Sequence, residues 1–200
     1  MHLTHRWLER ARWLEYGLLA IGVTLAAWSI LNWMQLQYFA RMPVPTEVSA
    51  PRLPGDPGDT SSPAVVSVAR GTWVARLEAP AIGLQATVLE GSDDGTLARA
   101  AGHIESTALP GSPGNVGIAG HRDTIFRPLR NVKIGDVFAV KTSSGTMQYR
   151  VSSTKIVPPE DVSVLDPTPN PTLTLVTCYP FTFIGHAPKR FIVRAELIEK

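Results

Sequence analysis

From Trp73 to Ile198 the apolar positions fall in short alternating runs, separated by glycine, proline and small polar residues. That period of two is the mark of half-buried strands. Trp73-Val-Ala-Arg-Leu77 alternates, Pro80 breaks the run, and Ile82-Gly-Leu-Gln-Ala-Thr-Val-Leu89 resumes it. Gly91-Ser-Asp-Asp-Gly95 reads as a turn, with Asp93 or Asp94 placed to cap a short helix reaching Ala100. Gly102 to Gly111 reads as a loop, and Asn115-Val-Gly-Ile-Ala-Gly120 as a short buried strand ending at His121. Ile125 to Arg130 suits a helical turn. Val137 to Lys141, the turn at Ser143-Ser-Gly145 and the run from Met147 to Val157 form a hairpin. A proline-broken loop covers Pro158 to Pro171. The strand Thr172-Leu-Thr-Leu-Val-Thr-Cys178 follows, then a loop from Tyr179 to Lys189 and a last strand from Arg190 to Ile198. Hairpin-linked strands of this length predict a mostly β fold: a closed or nearly closed mixed β-barrel of about seven to eight strands with short helices.

The N-terminal part has a different pattern. From Tyr16 to Met34 the chain is apolar and uncharged. About 18 to 20 helical residues span roughly 27 to 30 Å, the thickness of a bilayer core. Arg6, Arg10 and Arg12 precede the segment, and Arg41 is the first cation after it, which orients the N-terminus towards the cytoplasm. Trp7 and Trp13 flank one side, and Trp28, Trp33, Tyr38 and Phe39 the other, as in interfacial aromatic belts. The run is longer than a signal-peptide core and lacks a nearby small-x-small site. Six prolines from Pro43 to Pro63, among Gly, Ser, Thr and Asp, then describe a solvated linker that buries no core. The expected organisation is a cytoplasmic segment over 1–15, a transmembrane anchor over 16–39, an extracytoplasmic linker over 40–70 and a catalytic barrel over 71–200.

A formal net charge of +2, with no dense basic run, gives no footprint for nucleic acid. The single cysteine, Cys178, excludes an intramolecular disulfide. An unpaired cysteine in an exported chain suggests a reactive thiol, although a free cysteine also packs as a small hydrophobe. Acyl transfer by a thiol needs a proton partner and a group to hold the developing oxyanion. Of His103, His121 and His186, His121 is best placed, at a strand end behind Gly117 and Gly120. One cysteine and scattered histidines lack zinc-ligand spacing, and no run of acidic side chains argues for calcium. Neither a cofactor nor a metal is expected.

Thr174-Leu-Val-Thr-Cys178, Gly114-Asn-Val-Gly-Ile-Ala-Gly-His-Arg-Asp-Thr124 and Ala187-Pro-Lys-Arg-Phe-Ile-Val193 together resemble the sortases, bacterial cysteine transpeptidases. Tyr-Pro-Phe after the cysteine is most similar to the class D-type enzymes. The resemblance covers about Thr72 to Glu199. It implies that Cys178 attacks the threonine carbonyl of a Leu-Pro-x-Thr-type sorting motif to form a thioester, which an amine resolves. His121 would then move the proton, and Arg190 would orient the substrate and stabilise the oxyanion. Arg194 is a rival on the same strand face, but the family pattern favours the strand entry after Lys189. Thr177, His103, Ala119 and Val176 are the candidate substrate-binding residues. The implied partners are exported proteins with a C-terminal sorting motif, an amine acceptor (a peptidoglycan precursor or a pilin lysine) and the membrane through the N-terminal helix. The implied location is a bacterial cell membrane, crossed once. Two other functions compete: an envelope cysteine hydrolase or peptidoglycan transpeptidase, and a non-catalytic barrel that binds envelope proteins.

Overall fold

The computed structural model describes residues 16–31, 33–34, 68–182 and 185–199. The chain divides into two compact units, Met1–Phe39 and Ala40–Lys200. In the first, residues 16–31 and 33–34 are helical. The helix's large apolar side chains, Trp28 and Leu19 among them, are 57–69% exposed. Among the described residues no helix is long and apolar enough to cross a membrane. The expected anchor over 16–39 and linker over 40–70 lie partly and mostly outside the described residues.

The second unit is a closed barrel of eight strands in the order β1-β2-β3-β4-β7-β8-β6-β5. The strands are β1 (Trp73–Ala79), β2 (Leu84–Glu90), β3 (Ala101–His103), β4 (Asn115–Ala119), β5 (Val137–Thr142), β6 (Gly145–Val157), β7 (Thr172–Tyr179) and β8 (Lys189–Glu199). β2–β3 and β4–β7 pair in parallel and the other neighbours antiparallel, so the barrel is mixed, as the sequence predicts.

The alternation decides which side chains face inwards. Ala75 and Leu77 of β1, Ala86 and Val88 of β2, Val116 and Ile118 of β4, Leu173 and Leu175 of β7, and Val193 and Ala195 of β8 all join one buried cluster. Each fully buried Leu or Ile contributes about 1.5–3 kcal/mol over its exposed state. Phe126 and Leu129, from the segment between β4 and β5, are fully buried in the same cluster. With one face of β4, β7 and β8 spent on this core, the alternate residues Gly117 and Ala119, Thr174, Val176 and Cys178, and Arg190, Ile192 and Arg194 share the outer face.

Two local outcomes differ from the sequence reading. Gly102-His103, read as loop, belongs to β3, which pairs with both β2 and β4. Three residues are too few to carry a readable alternation, and long-range pairing sets this strand. A Cβ at Gly102 would strike the Gly91 carbonyl, so the close approach of these two backbones requires glycine. The helix after Gly91 is also shorter than expected, Asp94–Leu97. Asp93 caps it, accepting from the backbone N–H of Thr96 at 3.1 Å and its hydroxyl at 2.9 Å. The Thr96 hydroxyl first, then its N–H, hold the Asp93 carboxyl below its ordinary range.

Candidate active site

Cys178 sits near the end of β7 as a free, half-buried thiol. Its partner across the antiparallel ladder is Arg190, so the thiol and the guanidinium side chain leave adjacent strands at the same level and on the same face. On the other side, β4 runs parallel to β7 with Ala119 beside Val176. The ladder continues one step further, where the Gly120 N–H donates to the Val176 carbonyl at 3.1 Å. His121 is the next residue, one position past this last bond between the two strands.

Local sequence fixes that placement. The Thr177 hydroxyl donates to the Gly120 carbonyl at 2.7 Å and ties the end of β4 to β7 just before both candidate residues. A Cβ at Gly120 would lie 2.7 Å from the Phe126 ring, so glycine lets the core aromatic pack directly under the chain leading to His121. The turn then closes with the Phe126 N–H donating to the His121 carbonyl at 2.9 Å, and His121 is left exposed. Beyond Cys178, the rings of Tyr179, Phe181 and Phe191 pack with centroids 5.4–6.3 Å apart and brace the exit from β7. The half-buried Arg190 donates through Nη1 to the carbonyls of Ala187 at 3.3 Å and Lys189 at 3.1 Å. Arg122, beside His121, reaches the Gly185 carbonyl at 3.2 Å and joins the two loops that flank the site.

The candidate substrate-binding residues separate into two groups. Ala119 and Val176 are half-buried neighbours on the outer face, one level below Cys178, where they form an apolar floor. Thr177 points the other way and is 2% exposed, with its hydroxyl spent on Gly120. His103 is also withdrawn, at 1% exposed. Its Nδ1 pairs with Glu90 Oε2 at 2.8 Å, and its Nε2 donates to the Ala108 carbonyl at 3.0 Å. Neither residue offers surface to a peptide; both brace the backbone around the floor. The loop after β3 closes this brace. The Thr107 hydroxyl donates to the Ile104 carbonyl at 2.7 Å and accepts from the Gly117 N–H at 2.9 Å. Glu105 in the same loop pairs with Arg70 at 2.8 Å. Its own backbone N–H first, and then Arg70, hold its carboxyl below the ordinary range.

Sequence reasoning missed Asn115, which is 2% exposed at the head of β4. Its amide nitrogen donates to the carbonyls of Val164 at 3.1 Å and Asp166 at 3.0 Å, and its oxygen accepts from the Thr174 hydroxyl at 2.7 Å. A lone amide among Val, Gly, Ile and Ala was the available signal. Arg194, the rival of Arg190, also donates to the Val164 carbonyl, at 2.9 Å. Among the described residues no group of three or more His, Cys, Asp and Glu side chains could hold a metal ion.

The sortase domain model matches residues 77–198. Over 118 residues the chain is 36% identical to sortase D of Bacillus subtilis, covering 58% of this chain and 60% of that relative. It is 30% identical to sortase A of Listeria monocytogenes over 146 residues, covering 68% of this chain and 64% of the relative. The matches therefore span less than two thirds of these relatives' length. A solved structure of a Clostridium perfringens sortase D5 transpeptidase superposes with a TM-score of 0.60 at 32% identity, covering 66% of this chain and 82% of that one. The eight-strand mixed barrel, the order of its motifs and the extent of these matches lead to one assignment: the chain belongs to the sortase family.

Proposed function

We propose that this chain is a membrane-attached cysteine transpeptidase that cleaves a Leu-Pro-x-Thr-type sorting motif and joins the acyl fragment to an amine. The observation that carries this reading is the register pairing Cys178 on β7 with Arg190 on β8, and the sequence that puts His121 just after β4, the strand on the other side of β7, supports it. The Cys178 thiolate adds to the scissile carbonyl carbon, and negative charge develops on the carbonyl oxygen. A guanidinium stays charged at any working pH and has five N–H donors, so Arg190 can hold that oxygen while keeping its loop contacts. Collapse of the adduct breaks the C–N bond. His121 donates a proton to the leaving amine, and Cys178 keeps the acyl group as a thioester. In the second half an incoming amine attacks the thioester, His121 accepts its proton, and the thiolate leaves.

The floor supports the length and polarity of the motif. Thr174 stands four residues before Cys178 on β7, about 13 Å at roughly 3.3 Å per residue. An extended peptide with its cut carbonyl at the sulfur covers that distance in about four residues, over Val176 and Ala119. Substrates of this kind would be exported proteins with a C-terminal motif, and the acceptor a peptidoglycan precursor or pilin lysine. The apolar side chains exposed around the N-terminal helix support attachment to a lipid phase, with Arg6, Arg10 and Arg12 on the cytoplasmic side.

The test incubates the full chain with a Leu-Pro-x-Thr-Gly or Leu-Pro-x-Thr-Ala peptide and an amine. The expected results are a ligated peptide, an acyl adduct on Cys178, and loss of both in Cys178→Ala. Turnover of cell-wall peptides alone would sink the sorting-motif reading.

A further inference from the structure

Between His121 and β5, Lys133-Ile134-Gly135-Asp136 forms a tight turn. The Asp136 N–H donates to the Lys133 carbonyl at 3.1 Å, and Gly135 has φ +95°. That is the type II form, which favours glycine at its third position. Further bonds lock it. The Asp136 carboxylate accepts from the Lys133 N–H at 2.8 Å. The Gly135 N–H donates to the Val151 carbonyl at 2.9 Å, and the Val151 N–H to the Asp136 carbonyl at 2.8 Å. The residue held at the tip is Ile134, 71% exposed, more than any other large apolar side chain described in the barrel. So firm a brace keeps an aliphatic side chain in water, where it is costly and where a polar residue would serve the turn as well.

Cations surround that tip. The 3-10 turn Arg127–Asn131 repeats every three residues, so Arg127 and Arg130 stand on one face, and Lys133 follows. All three are exposed, and among the described residues no carboxylate pairs with any of them. An open cavity of about 810 Å³ lies beside them, with Arg130 and Lys133 in its wall. Ile82 and Val132 supply apolar lining, and both pack against the core. Asp136 is the one carboxylate in the wall, and its Oδ2 is committed to the Lys133 N–H. β3 runs antiparallel to β4 and β2 parallel to β3. The turn Pro80–Ile82, just before β2, therefore lies at the end of the barrel where β4 leads into His121.

We infer that this end of the barrel carries a docking surface for an anionic phospholipid bilayer. Arg127, Arg130 and Lys133 meet headgroup phosphates, the cavity beside Ile82 and Val132 admits a headgroup, and Ile134 enters the acyl boundary. This rests on the membrane-attached reading above and adds an orientation to it: the end carrying Cys178 is held near the lipid. Lysine and arginine gain from the negative potential of an anionic bilayer, and an aliphatic residue among them gains by leaving water. Three cations and one aliphatic side chain make a reversible contact that salt weakens, unlike the insertion of a helix.

The test reads backbone hydrogen exchange in the full chain, carried in nanodiscs of phosphatidylcholine alone or mixed with phosphatidylglycerol. At low salt, exchange at Ile134, Gly135 and Asp136 should be about tenfold slower in the anionic discs than in the neutral ones. Sodium chloride at about 1 M, where charges are screened beyond about 3 Å, should remove the difference. Ile134→Ser, and Arg130→Gln combined with Lys133→Gln, should exchange like the parent in neutral discs and lose the slowing in anionic ones. Equal exchange of the parent in both discs would overturn the inference, as would slowing that survives these variants. Slowing by inorganic phosphate in neutral discs would assign the cations to a soluble anion in place of lipid. If the chain enters no disc, the attachment reading falls, and the same comparison with added vesicles of the two compositions still decides the docking.

Discussion

On β8, Arg190 and Arg194 leave the same outer face and engage different parts of the molecule. Arg190 pairs in register with Cys178, and its Nη1 donates to two carbonyls of its own loop. Arg194 pairs with Thr174 and gives a single bond to the Val164 carbonyl. An ammonium can replace one bond to one carbonyl, but it cannot replace a planar fork that holds loop carbonyls and a developing oxyanion together. Arg190→Lys should therefore lower kcat for peptide conjugation by about 10²-fold, the scale of a lost oxyanion donor. Arg194→Lys should leave kcat within about threefold, because it retains a donor for a single bond. Steady-state kinetics on the two variants decide this, and equal losses in kcat would remove the distinction drawn between them.

Among the elements, β3 and the two loops over β4 divide stability from recognition. Gly102 lies against the Gly91 carbonyl, a backbone atom that cannot swing aside, whereas the space over Gly117 is filled by the ends of two side chains. Gly102→Ala should thus force β3 off its partners and cost about 1–3 kcal/mol, seen as a lower Tm. Gly117→Ala should leave Tm nearly unchanged and instead raise the peptide KM, as Leu165 and Thr107 are pushed apart. A Gly117→Ala variant destabilised as much as Gly102→Ala would refute this division. The same elements show what could be read in advance. β4, β7 and β8 carry several alternating residues, so their faces follow from the chain, and the chemistry proposed for Cys178, His121 and Arg190 follows from their residue types. β3 has three residues and no pattern of its own. His103 looked accessible in a supposed loop because nothing local reveals that Glu90, 13 residues earlier, and the Ala108 carbonyl engage its ring. The Asn115 bracket is equally hidden, since its partners lie 49 to 59 residues away.

At the scale of the whole molecule, the single cysteine serves as a probe of where the barrel resides. The N-terminal helix exposes apolar side chains on all its faces, and at about 25 cal/mol per Å² such a surface is costly to leave in water. Lipid is the proposed solvent for it, and three arginines before the helix set the proposed orientation. The full chain should remain with membranes through alkaline carbonate washing, and removal of residues 1–39 should release the barrel. The half-buried Cys178 thiol reaches the surface, so a charged thiol reagent that cannot cross membranes should label it in intact protoplasts as completely as in lysed ones. Labelling that appears only after lysis would place the barrel in the cytoplasm and remove its access to exported substrates. Retention of the truncated barrel by washed membranes would show that the helix is not what holds it there.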